Sequence, residues 1–401
     1  MTTPMPNVPP ASLICPICGG AHGTVFLDRR GVSVHQNMVA ATVEAARVVP
    51  RGDLRMAVCE DCGFVFNAAF DLSLLAYGSD YDNTQSCSPS FDRYMDGLAD
   101  SLVNHHGIRN STIVEVGCGK GEFLRRLVEF PGAGNRGIGF DPSYAGPDSA
   151  ANGRLEFHRR FYDQDCADVP ADVVVCRHVI EHVPRPMALI ASVRAALAHA
   201  PNARVFFETP CVDWILRNRV LWDFFYEHCS LFTATSLRYA FERSGFAVER
   251  VGHVFGGQYL WLEARVRADY LVLPPSAAGE TPTLAKAYGT GEAELRAAWL
   301  MRMQELREKG KVSVWGAGAK GATFVNLVDP NGNLIDCVVD LNPNKQGRHL
   351  PGSGHLIVAP TDLPARHVRS AVLMNPNYWE ENLRLLADAG ISLNLMNWSA
   401  P

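Results

Sequence analysis

Two different spacings of apolar residues alternate through the middle of the chain. Short apolar or β-branched runs, typical of buried strands, lie at 112–116, 137–140, 155–157, 173–176 and 203–208. Apolar residues at helical spacing lie among and after these runs, at 122–130, 185–198 and 235–244. Strands that alternate with helices predict βαβ units and a parallel sheet, and two further runs, 246–253 and 258–266, predict a strand pair at its end.

The regions before and after this α/β zone are organised differently. Residues 11 to about 70 contain two CxxC pairs and a predicted helix at 38–48. A segment rich in proline and glycine, 273–282, predicts a linker, and a strong helical pattern follows at 292–309. Strand-like runs around a second glycine-rich turn then repeat the α/β pattern. We therefore predict three domains, with bounds 1–75, 76–272 and 283–401.

Composition limits the class of protein. The chain has 401 residues, 47% of them hydrophobic, which is enough to form a full core. With 37 Lys and Arg against 42 Asp and Glu, the formal charge of −5 disfavours a nucleic-acid binder, which would need a basic face. No run of about 18 apolar residues predicts a membrane span, and Met1–Pro10 lacks the apolar stretch of a signal peptide. We expect a soluble cytoplasmic protein whose partner is a small molecule.

Four of the eleven cysteines stand in two CxxC motifs. The motifs are formed by Cys15 and Cys18 and by Cys59 and Cys62, and a glycine follows each one. Each motif can present two thiolates to one point, and four thiolates complete the tetrahedral coordination of Zn²⁺. This predicts a structural zinc. The alternatives are reduced thiols paired in a core and a nucleic-acid-binding zinc ribbon, which the non-basic intervening segment disfavours.

A glycine-rich turn joins a predicted strand to a predicted helix. It reads Glu115-Val-Gly117-Cys-Gly119-Lys-Gly121, and its glycines would let the backbone approach a ligand at the helix N-terminus. Asp141 follows the next predicted strand, where a carboxylate can accept both hydroxyls of a ribose. The pattern predicts a nucleotide-type cofactor. NAD is one alternative, whereas the acid before the first glycine fits a different cofactor.

These features resemble the class I S-adenosylmethionine (SAM) methyltransferases. Their first motif is E/D-x-G-x-G-x-G, and their fourth strand often reads like residues 172–183. The resemblance implies a Rossmann-like α/β domain in which the first two glycines of the turn approach the amino-acid end of SAM and Asp141 holds its ribose. It also implies that the segment from Phe161 to Asp163 lies near the adenine.

Two groups of polar residues stand next to apolar segments downstream. The first follows a predicted central strand, at the end where open α/β sheets bind ligands, and consists of Arg177, His178, Glu181 and His182. We expect Arg177 and His178 to contact the cofactor. The second group, Tyr226-Glu227-His228, lies between apolar residues, where buried polar groups need partners. It is either a hydrogen-bonded core triplet or a wall of the active site, and we prefer the second interpretation.

Nearly the whole chain resembles the zinc-containing sugar C-methyltransferases, which act on nucleotide-linked 4-keto sugars. The most specific likeness is Trp315-Gly-Ala-Gly-Ala-Lys-Gly321-Ala-Thr-Phe-Val-Asn326, continued through 339–352. The resemblance implies a zinc-binding domain, a SAM domain and a second Rossmann-like domain that helps to hold the nucleotide end of the substrate. The candidate residues in that last domain are Gly316, Gly318, Lys320, Asp340, Asn342 and Lys345. Taken alone, Gly316-x-Gly318-x-x-Gly321 would predict NAD binding.

The resemblance also implies a mechanism. A carbon next to a ketone must lose a proton before it can accept a methyl group, and His182 aligns with a candidate base. Glu227 and His228 align with a second catalytic element. The family commonly carries tyrosine and histidine before this pair, whereas this chain has Phe225 and Tyr226. Either Tyr226 takes over the role of that tyrosine, or the role lapses.

Some alternatives stay open at this point. Tyr81 and Asn83 are predicted to close the pocket over the substrate, and an ordinary surface loop is the alternative. The acceptor could instead be methylated on oxygen, or it could be a non-sugar metabolite. A nicotinamide-dependent reductase and a zinc-ribbon binding module without catalysis are the rivals from other classes.

Overall fold

The computed structural model describes residues 13–75, 88–166, 168–267, 274 and 277–398. Three β-sheets, of four, eight and five strands, organise these residues. Within the described ranges, none of the helices combines the length and the apolar character that crossing a membrane requires.

The N-terminal sheet is an antiparallel hairpin extended by two short strands. Its strands are β1 (Gly23–Ser33), β2 (Arg51–Cys59), β3 (Val65–Asn67) and β10 (Ser230–Leu231), in the order β1-β2-β3-β10. Since β10 comes from the middle of the chain, the sheet is tied to the central domain. Gly23 pairs with Cys59, so both CxxC motifs lie at one end of the hairpin, and the loop 34–50 lies at the other end.

This loop contains one short helix. α1 (Val43–Arg47) begins after Thr42, whose side chain accepts a hydrogen bond from Ala45 N. The predicted helix at 38–48 is therefore too long, because the backbone of Ala40 pairs with that of His349 in the C-terminal domain. A tertiary contact has replaced the first predicted helical turn.

The central sheet has eight strands, and its middle five are parallel. The strands are β4 (Thr112–Val116), β5 (Arg136–Phe140), β6 (Ser149–Ala150), β7 (Leu155–His158), β8 (Val173–Arg177), β9 (Arg204–Pro210), β11 (Phe246–Val254) and β12 (Tyr259–Val266). Their order is β11-β12-β9-β8-β4-β5-β7-β6, and β12 and β11 form an antiparallel pair next to β9. The predicted parallel sheet and its terminal strand pair are confirmed. Because the order reverses at β4, the carboxyl ends of β4, β5 and β8 surround a crevice.

Helices cover both faces of this sheet. They are α2 (Pro89–Asp100), α3 (Glu122–Val128), α4 (Pro186–Ala196), α5 (Val212–Arg217) and α6 (Ala234–Arg243). Alternate residues of β8 belong to two different cores, since Val174 and Cys176 pack with α4 and α6, whereas Val173 and Val175 pack with α2 and α3. Burial on both faces explains why this strand is a continuous apolar run.

The C-terminal domain is a five-stranded parallel sheet preceded by a long helix. Its elements are α7 (Thr281–Glu308), β13 (Lys311–Trp315), α8 (Ala319–Val328), β14 (Ile335–Val339), β15 (Ile357–Val358), β16 (Val368–Leu373), α9 (Trp379–Asp388) and β17 (Asn394–Asn397). The strand order is β15-β14-β13-β16-β17. The helix predicted at 292–309 starts earlier than expected, and Pro282, which was predicted to lie in the linker, stands in its first turn, where the missing N–H costs nothing.

The three domains share a hydrophobic core, which fixes the spaces between them. Trp222 of the central domain makes edge contacts with Trp299 of α7, Phe324 of α8 and Trp398. The same core includes residues of β1 and β2. A polar contact also joins the C-terminal and central domains, because Glu381 of α9 accepts hydrogen bonds at the N-terminus of α2. The packing of these elements therefore bounds the space between the central and C-terminal domains.

Candidate active site

The four cysteines of the CxxC motifs converge at one end of the β1–β2 hairpin. Their Sγ atoms all lie within 4.8 Å of one another, with 3.7 Å between Cys15 and Cys62 and 3.5 Å between Cys18 and Cys59. Four sulfurs around one tetrahedral Zn²⁺ would be about 3.8 Å apart, given Zn–S bonds of about 2.3 Å. The spacing and the burial of three of the four thiols fit a closed structural metal site.

The glycine-rich turn after β4 brings the backbone close to neighbouring groups. Gly117 has φ of +70°, and a Cβ there would lie 2.1 Å from Val179, so a side chain would not fit. Gly119 N donates a hydrogen bond to Asp141 at 2.9 Å, and Ser143 donates to the other oxygen of the same carboxylate. The acid predicted from the sequence therefore stands against the turn at the end of β5.

A second carboxylate is buried beneath the turn. Glu115 Oε2 accepts a hydrogen bond from Leu124 N at 3.1 Å. Burial raises the pKa of Glu115 to about 8, although the nearby Arg177 guanidinium acts in the opposite direction. A cationic ligand bound beside the turn would favour the charged form of this group.

A cavity of about 320 Å³, which we call the glycine-turn cavity, opens in the crevice at the carboxyl ends of β4, β5 and β8. The predicted cofactor residues that line it are Glu115, Gly117, Gly119, Asp141, Phe161, Arg177 and His178. Two others do not line it, because Gly121 caps α3 and Asp163 pairs with Arg160 at the surface. Tyr162, which belongs to the segment predicted to lie near the adenine, also lines the cavity.

A second cavity, of about 260 Å³, lies between the central and C-terminal domains, and we call it the interdomain cavity. Its lining residues include Glu181, His182, Glu227 and His228 of the central domain and Gly316, Gly318, Lys320, Asp340, Asn342 and Lys345 of the C-terminal domain. The N-terminal loop 34–50 contributes Asn37. The fold thus brings together most of the predicted catalytic and substrate residues.

The two cavities meet at a group of histidines. His178 and His182 line both cavities, and the ring of His182 is perpendicular to that of His228, with 4.8 Å between the ring centroids. Burial lowers the pKa of His228 well below its ordinary value, and the neighbouring histidines and Lys320 lower it further. His228 is therefore neutral at neutral pH and can accept a proton.

His178 lies between two buried carboxylates. Its Nδ1 is 3.4 Å from Glu181 and its Nε2 is 3.4 Å from Glu208. Although burial opposes its positive charge, these carboxylates raise the pKa of His178 to about 9. Glu208 also accepts hydrogen bonds from Arg177 and Tyr94. The φ of +54° at His178 is strained for a residue with a side chain, which is typical of functional sites.

Glu181, His182 and His228 can also place one ligand atom each within 4.8 Å of the others. One carboxylate and two imidazoles form a set that can hold a divalent cation. However, the Glu181 carboxylate already faces the cationic His178 ring. We therefore interpret this group as one that handles protons.

Two lysines of the C-terminal domain have different settings in the interdomain cavity. Lys320 Nζ donates to Asp223 at 2.8 Å and to Gln258 at 3.2 Å, so its charge is balanced. Lys345 is only 5% exposed, and its Nζ lies 3.4 Å from Asn37 Oδ1 and 3.3 Å from a backbone carbonyl. Within the described ranges, no carboxylate forms an ion pair with Lys345. A buried ammonium beside the N-terminus of α8 is suited to binding an anion.

Comparisons with known proteins agree with this geometry. Residues 91–251 match the family model for a methyltransferase domain, and residues 278–389 match the model for a C-methyltransferase C-terminal domain. The chain is a SAM-dependent methyltransferase. It is also similar to the C-methyltransferase NovU of Streptomyces niveus, with 27% identity over 315 residues that cover 73% of this chain and 73% of NovU. Together these matches support a C-methyltransferase.

Solved methyltransferase structures resemble part of this chain. The 1,6-didemethyltoxoflavin-N1-methyltransferase of Burkholderia thailandensis, with bound S-adenosylhomocysteine, is 16% identical, with a TM-score of 0.34, over 44% of this chain and 80% of its own. A SAM-dependent methyltransferase from Mesorhizobium loti is 20% identical, with a TM-score of 0.32, over 43% of this chain and 99% of its own. The class I methyltransferase fold, expected from the sequence, follows here from the strand order and the antiparallel β11–β12 pair.

One predicted catalytic residue of this methyltransferase lies away from both cavities. Tyr226 is buried outside both cavities, and its hydroxyl accepts a hydrogen bond from Asp71 N at 2.8 Å and donates to Asp71 O at 3.1 Å. The hydroxyl therefore anchors the backbone of Asp71 and faces neither cavity, so the structure gives no support to a catalytic role for Tyr226. Tyr81 and Asn83 lie outside the described residues.

Sequence reasoning missed several residues of the site. Glu208 lies near the carboxyl end of β9, where it pairs with Arg177 of β8, so its place at the end of a predicted parallel strand could have indicated it. His35, Gln36 and Asn37 are buried although polar, and no sequence signal tied them to this site. Their position depends on how the N-terminal loop packs against the other two domains, which a local pattern does not encode.

Proposed function

We propose that this methyltransferase transfers a methyl group to a carbon next to the ketone of a nucleotide-linked keto sugar. SAM would occupy the glycine-turn cavity and the acceptor the interdomain cavity. The observation that carries this proposal is the meeting of the two cavities at His178 and His182. A donor and an acceptor held on either side of these imidazoles would be within reach of each other, which supplies the proximity that group transfer needs.

The residues that line the glycine-turn cavity match the chemical groups of SAM. The Asp141 carboxylate would accept the ribose hydroxyls, and the Glu115 carboxyl group, whose pKa burial raises to about 8, would take its charged form beside a cationic ligand. Gly117 provides the close backbone approach, and the exposed Phe161 offers an aromatic face near the cavity mouth. When bound, SAM supplies an electrophilic methyl group on its sulfonium sulfur.

Replacing Asp141 with alanine is expected to weaken SAM binding by about 10- to 100-fold, since hydrogen bonds to a charged group are worth about 1.5–3 kcal/mol. The change also removes the acceptor that holds Gly119 N. Isothermal titration with SAM and S-adenosylhomocysteine measures the effect. Asp163→Asn is the matched control, because Asp163 lies outside the cavity, and its binding should equal that of the wild type.

The histidine group can carry out the proton transfer. Carbon becomes nucleophilic when a neighbouring carbonyl allows it to lose a proton, and the base must be unprotonated at the working pH. His228 meets this requirement, and His182 lies beside it at the junction of the cavities. The C–H electron pair would form the enolate, and the proton would pass to an imidazole. The enolate carbon would then form the new C–C bond to the methyl group while the S–CH3 bond breaks, its electron pair staying on the sulfur of the departing S-adenosylhomocysteine. His178, which lies between Glu181 and Glu208, would balance the charge of these two carboxylates beside the acceptor.

The residues that the C-terminal domain contributes to the interdomain cavity support a nucleotide-linked acceptor. The turn from Gly316 to Gly318 leads into α8, whose first N–H groups can bind a phosphate. Lys345 adds a buried positive charge, whereas Lys320 is already paired with Asp223. A diphosphate bound there would place the rest of the acceptor toward the histidines.

The four-cysteine cluster supports a structural Zn²⁺ as part of the same proposal. Its four thiolates would complete the coordination sphere, so the metal would stabilise the N-terminal domain without taking part in the reaction.

Incubation of the protein and SAM with a panel of nucleotide-linked keto sugars, deuterated next to the ketone, tests the proposal by mass spectrometry. We expect a product heavier by one methyl group that has lost deuterium at the methylated carbon. A methylated product that keeps all its deuterium would indicate O-methylation. Thermal stabilisation by NAD alone, without any by SAM, would overturn the proposal in favour of a reductase.

A further inference from the structure

The loop 34–50 of the N-terminal domain reaches the interdomain cavity. The hairpin that carries it runs from the cysteine cluster at one end to this loop at the other. Two contacts with the C-terminal domain hold the loop in place. The backbone of Ala40 pairs with that of His349, and Ala46 O accepts a hydrogen bond from Gly352 N at 2.7 Å. The domain with the predicted zinc therefore contributes directly to a cavity wall.

The loop contacts a buried carboxylate of that cavity. Glu227 is 1% exposed and lines the interdomain cavity next to His228. Its Oε1 lies 3.3 Å from Nδ1 of His35, and its Oε2 accepts a hydrogen bond from Gln36 N at 3.1 Å. Each carboxylate oxygen thus has one partner from the N-terminal loop, which fixes the plane of the carboxylate.

The contact between His35 and Glu227 affects the site strongly because both side chains are buried. The side chains of His35 and Glu227 are 8% and 1% exposed, so water cannot replace a lost donor easily. A buried carboxylate that loses a donor either changes its orientation or becomes protonated. Because Glu227 immediately precedes His228, such a change would alter the geometry at the junction of the two cavities.

We infer that His35 is a positioning residue for Glu227, and that the N-terminal domain thereby completes the acceptor site. This inference rests on the proposed function, in which the interdomain cavity holds the acceptor. His35 would contact neither the reacting carbon nor SAM. It would act through the hydrogen bond from Nδ1 to the carboxylate.

The test uses the full chain with an accepted keto sugar. His35→Leu should lower kcat by about 10- to 100-fold, the value of a hydrogen bond to a charged group, with little change in the KM for SAM. His35→Asn should recover most of the activity, because the amide nitrogen of asparagine can donate from nearly the same position as Nδ1. His355→Leu is the matched control, since it breaks a buried histidine–carboxylate pair, with Asp329 of the C-terminal domain, that lines neither cavity.

A double-mutant cycle separates this inference from the proposed function. Unfolding of His35→Leu, Glu227→Gln and the double variant should show a coupling of at least about threefold in the unfolding equilibrium constant. If the wild type methylates no keto sugar, the proposed function fails, and absence of this coupling would overturn the inference separately. Unchanged kcat in His35→Leu, or equal losses in His35→Leu and His35→Asn, would also overturn it.

Discussion

His228→Ala should reduce the kcat for an accepted keto sugar by about 10²- to 10⁴-fold, the usual contribution of a general base. His228 lines the interdomain cavity, and burial keeps its imidazole neutral, so its loss removes a proton acceptor without removing a contact from the glycine-turn cavity. The dissociation constant for SAM should stay close to that of the wild type. Steady-state kinetics and isothermal titration measure the two quantities independently.

His182→Ala should show a loss of kcat of the same order, because His182 lies against His228 at the junction of the cavities. His253→Ala is the control, since His253 is an exposed histidine that lines neither cavity. If both site variants lost SAM binding in parallel with turnover, the histidines would be structural. A wild-type rate in His228→Ala would leave His182 as the base.

Deuterium exchange without SAM extends the same test. An enzyme that removes the proton before methyl transfer can wash deuterium out of the acceptor when the methyl donor is replaced by S-adenosylhomocysteine. The variant that lacks the base should lose this exchange together with turnover. A variant that keeps the exchange but not the methylation would place its histidine in a later role.

Much of the fold could be predicted because periodicity is a local property. The run at 173–176 is apolar at every position since β8 is covered on both faces, and the antiparallel pair at 246–266 follows from two neighbouring apolar runs. The errors in the predicted helix bounds lie where contacts between residues distant in sequence determine the structure. α1 lost its first turn to pairing with His349, and α7 begins early because it packs along β1, where Gly289 lies against the backbone of Phe26.

The site residues divide in the same way, into those that a local sequence pattern indicates and those that depend on contacts between domains. Asp141 and Asp340 could both be found from their spacing to a glycine-rich turn, and each accepts a hydrogen bond from a backbone N–H of its turn. The resemblance also indicated His182 and His228, although only the fold shows that the two rings meet. His35 could not be predicted, because its role depends on three domains packing together. Tyr226 was assigned by its neighbours in sequence, whereas its hydroxyl points to Asp71.

Cys59→Ser should cause the largest loss of stability of any change considered. Binding of Zn²⁺ by four ligands contributes about 10–16 kcal/mol in zinc-finger peptides, and whole domains are stable by only about 5–15 kcal/mol. Losing one thiolate should therefore release the metal and unfold the N-terminal sheet. Mass spectrometry measures the metal content, and chemical denaturation measures the loss of stability.

Cys337→Ser is the matched control, because Cys337 is a buried thiol in β14 of the C-terminal domain and does not belong to the cluster. It should keep its metal and lose only the small stability expected of a polar substitution in a core. Since the β1–β2 hairpin carries both the cluster and the loop with His35, Cys59→Ser should also lower turnover more than it lowers SAM binding. Stoichiometric zinc and full stability in Cys59→Ser would show that these four thiolates are not the ligands, and that the hairpin holds the loop in place without a metal.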